Sequence, residues 1–166
     1  MLASDKSYPQ QRITKMIEQL KNNKKEVSEK IRSVFQVSYA VEAKLLKAVN
    51  FPPLQRPLED FIKSNTEFFG FMNNEKLAGV IEIDHNKNAT HICSLVVNPL
   101  FFRQGIARKL MEFTLNAFDS SIYIVETGVE NGPATELYKK FGFTEVKQWD
   151  TNHGVRKIRF EYRKDK

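Results

Sequence analysis

Cysteine is almost missing from this chain: Cys93 stands alone among 166 residues. No intrachain disulfide can form, and a cysteine-rich zinc site is excluded. Histidine is scarce as well, and His85, His91 and His153 fall at no metal-ligand spacing, so no metal is expected. The opening residues MLASDKSYPQQ lack the apolar run of a signal peptide. Nowhere do about 18 apolar residues follow one another, so a cytoplasmic protein without membrane contact is the expectation. Internal repeats and low-complexity tracts are absent. So are the Walker phosphate loop and the G-x-G-x-x-G dinucleotide fingerprint.

What is present is globular. Hydrophobic residues make up 41% and charged residues 28%, enough for one substantial core in a single domain spanning 1–166. The net charge of +6 favours anionic partners. That charge is spread along the chain, and no basic helix with interleaved aromatics occurs, so nucleic-acid binding is not expected.

The apolar pattern changes period along the chain. RITKMIEQL (12–20) reads equally as a short strand or a helical turn. From Glu26 to about Val49, Val27, Ile31, Val34, Val41, Leu45 and Ala48 recur at helical spacing until NFPPLQRP breaks the helix. LEDFIKSN (58–65) reads as a short helix. EFFGFM, LAGVIEIDH and ATHICSLVV are strands joined by tight turns, an antiparallel meander. A helix then carries Ile106, Leu110, Phe113 and Ala117 on one stripe. SIYIVET (121–127) is an apolar strand suited to a parallel position, Pro133–Phe141 a short helix, and FTEVKQW with GVRKIRFEY a closing hairpin. The sum is α/β, a mixed and mostly antiparallel central sheet flanked by helices. Cys93, inside ICSLVV, is expected to be a small buried hydrophobe.

One joint carries chemistry. NPLFFRQGIARKL (98–110) runs from strand into helix with Gly105 at the turn. A helix start exposes unpaired N–H groups and the positive end of its dipole, and a residue without Cβ lets an anion approach the backbone. Arg103, Arg108 and Lys109 stand nearby.

These residues resemble motif A of the GNAT superfamily, the acetyl-CoA-dependent N-acetyltransferases: V-x-P, an Arg/Gln-rich turn, then G-x-G/A opening a helix. Downstream, NGPATELYKKFGF (131–143) is similar to the family signature N-x-x-A-x-x-L-Y-x-x-x-G-F, and VETG (125–128) to the strand before it. The resemblance covers about residues 66 to 146 and implies a GNAT-like acyl-CoA N-acyltransferase fold. It also implies that backbone groups of Leu95, Val96 and Val97 pair with the pantetheine arm. Arg103, Gln104, Gly105, Ile106, Ala107 and Arg108 would surround the pyrophosphate, chiefly through amide N–H groups. Asn131 would contact pantetheine or cap its helix, and Tyr138 would sit near the cofactor sulfur. Phe102 departs from the pattern, standing where the family carries Gln or Arg.

The implied reaction moves an acetyl group from acetyl-CoA to a primary amine by direct attack. A lysine-like amine, with a pKa of about 10.4, must first lose a proton, and a thiolate leaving group is helped by a nearby acid. Tyr138 is the candidate acid, although it also lies on the apolar stripe of its helix. Glu82 and Glu126 are candidate bases; either could instead face solvent, and ordered water could replace both. A small-molecule amine or a peptide or protein amine remains open as acceptor, as does a monomer or homodimer. Tyr39, Glu42, NFPPLQRP and the turn near His153 are the places where the acceptor would enter. A non-catalytic acyl-CoA sensor on the same fold is the alternative.

Overall fold

The computed structural model describes residues 16–164; the opening residues and the first part of RITKMIEQL lie outside them. Seven strands form one sheet in the order β1-β2-β3-β4-β5-β7-β6. They are β1 (Ile17–Leu20), β2 (Glu67–Asn73), β3 (Lys76–His85), β4 (Ala89–Val97), β5 (Ile122–Gly128), β6 (Thr144–Asp150) and β7 (Arg156–Arg163). Among the described residues, only β4 and β5 pair in parallel. RITKMIEQL thus ends as a strand: Ile17–Leu20 pairs with Phe68–Phe71 on β2.

The meander forms for local reasons. Asn73 pairs with Lys76, and the two residues between them, Asn74 and Glu75, both have positive φ. That is the backbone of a two-residue hairpin whose twist matches its strands. Helices cover both faces. On one side, α1 (Lys25–Leu46) and α3 (Leu58–Lys63) bury Ile31, Val34, Phe35 and Phe61 against Phe68, Val80 and Val96, with the short α2 (Pro52–Gln55) between them. On the other, α4 (Ile106–Ala117) and α5 (Gly132–Lys140) bury Ile106, Leu110, Met111 and Tyr138 against Ile81, Ile83, Tyr123 and Phe160. Gly79 lets α4 sit close, since a Cβ there would lie 2.7 Å from Ile106 Cγ2.

Helix α1 departs from the expected stripe. It stops at Leu46, where Lys47 turns left-handed, and Val41 and Leu45 are exposed. The inward face of its second half is Phe35, Tyr39, Glu42 and Leu46, also at helical spacing. Two polar members hide that stripe from a purely hydrophobic reading.

Cys93 is also exposed, contrary to the expected burial. Glu82 pairs with Ser94 and the next residue, Ile83, pairs with Ile92, so Cys93 is the extra residue of a β-bulge. The bulge reverses the side-chain alternation. Ile92 belongs to the core under α4 and Val96 to the core under α1, although their even spacing would put them on one face.

Candidate functional site

The parallel ladder between β4 and β5 ends at Ile92↔Val125, beside the bulge. Beyond it β4 continues with β3 as far as Val97, and β5 continues with β7 as far as Gly128. The two strands therefore part, and a cleft of about 300 Å³ opens where they separate. It runs from Tyr39, Glu42 and Leu46 on α1, past Cys93 to Leu95 and Val125 to Gly128, to Asn131, Ala134 and Tyr138 at α5. Phe51, Arg56, His153 and Lys157 complete the walls. The turn before β7 is tied over it by the bond from Val49 N to His153 O, 3.4 Å.

Leu95, Glu126, Asn131 and Tyr138, named from sequence, all line this cleft. Val96 instead points into the core under α1. Val97 offers its N–H on the open side of β4, where Ser38 Oγ on α1 accepts it at 3.3 Å.

The turn from 103 to 108 lies outside the lining residues. Arg103 and Gly105 both adopt positive φ, 62° and 73°, and a Cβ built on Gly105 would meet nothing within 4 Å. No side chain caps α4, and its first internal bond runs from Lys109 N to Gly105 O, 3.0 Å. The N–H groups of Ile106, Ala107 and Arg108 are thus left for an external acceptor. The Ile106 side chain is buried in the core, so its contribution there is backbone alone. Arg108 is engaged with Glu112 at 3.0 Å, whereas Arg103 and Gln104 are exposed.

Glu82 lies outside the lining of the cleft. Its oxygens accept from Arg56 Nη1 (2.8 Å) and Nη2 (3.0 Å), Thr66 Oγ1 (2.7 Å) and Ser94 Oγ (3.0 Å). A carboxylate with four donors around it, itself buried, has no lone pair directed at the cleft. Glu82 thus anchors Arg56 and is not among the residues that line the cleft. Glu126 keeps a position on the cleft wall.

Tyr138 is buried, its ring against Phe143 and Phe160, and its hydroxyl makes no hydrogen bond with the described residues. Burial, then the nearby Glu42 carboxylate and Tyr39, push its hydroxyl well above the usual tyrosine range. It holds its proton at neutral pH, as a donor must. Asn131 does two things at once. Its Oδ1 accepts from Ala134 N at 3.3 Å, capping α5, while its Nδ2 donates to Glu42 Oε1 at 3.0 Å and Thr127 Oγ1 at 3.4 Å. Glu42 is largely buried; desolvation raises its carboxyl above the ordinary range, against the lowering effects of Asn131, Thr127 and Lys157. The sequence marked Glu42 only as a neighbour of the acceptor path; its contact with Asn131 spans 89 positions and leaves no local signal.

A family model described as an acetyltransferase (GNAT) domain matches residues 6–164. UPF0157 protein YqkA of Bacillus subtilis (strain 168) is 34% identical over 141 residues, 84% of this chain and 41% of that protein. An N-alpha-acetyltransferase of Sulfurisphaera tokodaii is 31% identical over 83 residues, 48% of this chain and 46% of that protein. The chain thus spans less than half the length of these curated relatives. Among solved structures, the ribosomal-protein-S18-alanine N-acetyltransferase of Escherichia coli superposes with a TM-score of 0.70 at 18% identity, covering 89% of this chain and 92% of that one. The PaiA N-acetyltransferase of Thermoplasma acidophilum in complex with coenzyme A gives 0.65 at 18% identity, over 88% and 99%. At such identities the likeness establishes the fold.

Proposed function

This chain belongs to the GNAT acetyltransferase family, and on that premise we propose that it transfers an acetyl group from acetyl-CoA to a primary amine by direct attack in a ternary complex. The observation that carries the reading is the parting of β4 from β5, with the free hydroxyl of Tyr138 on the wall of the resulting cleft. Acetyl-CoA supplies a thioester, an electrophilic carbonyl with a thiolate leaving group.

The residues present fit such a ligand. The open side of β4 at Leu95–Val97 presents backbone groups to the pantetheine amides, as an added strand would, with Ser38 yielding the Val97 N–H. The bare backbone at Gly105 and the free N–H groups of Ile106, Ala107 and Arg108 take the pyrophosphate, supported by Arg103 and Gln104. Phe102 is exposed and brings no charge, so the backbone bears most of that recognition. Tyr138 gives its proton to the departing sulfur. The acceptor enters between α1, Phe51 and His153.

The test is an assay of CoA thiol release with a panel of tripeptides, Nα-acetyl-lysine and aliphatic amines, alongside calorimetry with acetyl-CoA. Saturable binding and release with at least one amine are expected. Binding without release from any amine would favour an acyl-CoA sensor, and no binding would overturn the reading.

A further inference from the structure

We propose that Glu42 is the residue that takes the proton from the acceptor amine, so that the acceptor is recognised as an ammonium ion; this rests on the acetyl-transfer reading above. The geometry is specific. Glu42 Oε1 is fixed by Asn131 Nδ2 at 3.0 Å and by Thr127 Oγ1 at 3.4 Å. Its second oxygen, Oε2, accepts no hydrogen bond from the described residues, and the side chain lines the cleft. One oxygen is held and the other is presented. Glu82 offers the opposite arrangement, with both oxygens committed.

The surrounding groups narrow the choice of proton acceptor. Tyr39 on the same helix and Tyr138 on α5 both have hydroxyls pushed well above their usual range by burial first and by Glu42 next. Cys93 on β4 is pushed up to about 12 by desolvation and by the carboxylates of Glu82 and Asp84. All three keep their protons at neutral pH and cannot receive another. Arg56 is committed to Glu82. Lys157 on β7 adds a positive field that favours the charged carboxylate, and His153 closes the wall next to Phe51. Glu126 also borders the cleft, but no hydrogen bond or ion pair with the described residues orients its carboxylate. Glu42 is therefore the described carboxylate that is oriented by neighbours and still open. Its desolvated position also makes it a stronger base than a surface glutamate.

The proton balance closes within the cleft. An N–H bond of the ammonium breaks and an O–H bond forms at Glu42 Oε2. The freed nitrogen pair forms the C–N bond to the thioester carbon, and the C–S pair leaves with sulfur, which takes the proton of Tyr138. The second nitrogen proton returns to the tyrosinate as the amide forms. Glu42 then releases its proton to solvent, giving N-acetyl amine, CoA thiol and one proton.

The experiment compares the wild type with Glu42→Gln, which keeps an acceptor oxygen for Asn131 and Thr127 but cannot take a proton. The fastest amine of the panel serves as probe from pH 6 to 10. For Glu42→Gln, kcat/KM at neutral pH should fall by about 10²-fold or more, while the acetyl-CoA Kd by calorimetry stays within about twofold. The deficit should shrink toward the probe amine's own pKa, about 10.4 for a lysine-like amine and about 8 for a peptide N-terminus, where free base is supplied without catalysis. A purely structural role would lower activity equally at every pH. In the ligand-free protein, ¹³C NMR should show the Glu42 carboxyl titrating above the ordinary glutamate range. Wild-type rates in Glu42→Gln at every pH would overturn Glu42 alone, as would the pH-dependent loss appearing in Glu126→Gln instead. A wild type that acetylates no amine would overturn both the assignment and the reading beneath it.

Discussion

Arg56 grips Glu82 with both arms of its guanidinium, 2.8 and 3.0 Å, while its charged carbon lies 4.1 Å above the ring of Phe61. The pair joins the loop after α2 to the middle of the sheet, beneath the cleft. Replacing Arg56 by Ala strands a buried carboxylate and should cost about 3–5 kcal/mol in chemical denaturation. Replacing both residues, Arg56→Met with Glu82→Leu, should recover most of that loss. Equal destabilisation in the single and double variants would deny the pairing its role.

Gly105 combines a left-handed backbone with empty space around it. Gly105→Ala should cost about 1 kcal/mol of stability from strain alone. Gly105→Glu adds a negative charge where the pyrophosphate is proposed and should weaken acetyl-CoA binding by more than tenfold. Unchanged calorimetric affinity would move the pyrophosphate elsewhere.

Tyr138→Phe removes one oxygen and keeps the ring against Phe143 and Phe160. The fold should persist and the acetyl-CoA Kd should change little, while turnover should drop by about 10²-fold. A retained rate would remove the acid role from this residue.

Glu42 links function to stability through pH. Its carboxyl is raised in the folded protein, so in the range just above the ordinary glutamate pKa the native state binds more protons than the unfolded one. Stability from this group is then lost as pH rises through that window. Glu42→Gln should be more stable than the wild type at pH 7, and the gap should close below about pH 4.5, where both forms are neutral. Thermal melts from pH 4 to 8 check this, and a gap independent of pH would contradict it.

Cys93 is exposed, yet its thiol is pushed up to about 12. Alkylation by iodoacetamide at pH 8 should therefore run well below the rate of a free thiol and climb steadily with pH, because the thiolate is the nucleophile. Acetyl-CoA should slow it further if the cofactor lies along β4. Rapid modification at neutral pH would contradict the raised value.

Much of this protein could be read from local pattern. The meander, the helix opening after Gly105 and the strand–helix–hairpin ending follow from periodicity and turn residues, and two short motifs named the family. Those signals are local because helix starts, tight turns and alternating strands are decided by residues a few positions apart. Tertiary structure alone decided three other things. The bulge at Cys93 appears only when β3 and β4 are set in register, and with it the cysteine leaves the core. Glu82 gains its hydrogen-bond partners because Arg56, Thr66 and Ser94 arrive from three separate segments. Glu42 becomes an oriented carboxylate because α1 crosses the mouth of the split sheet and meets Asn131, 89 positions away. A charge acquires its chemistry from what surrounds it, and in this fold the surroundings come from distant parts of the chain.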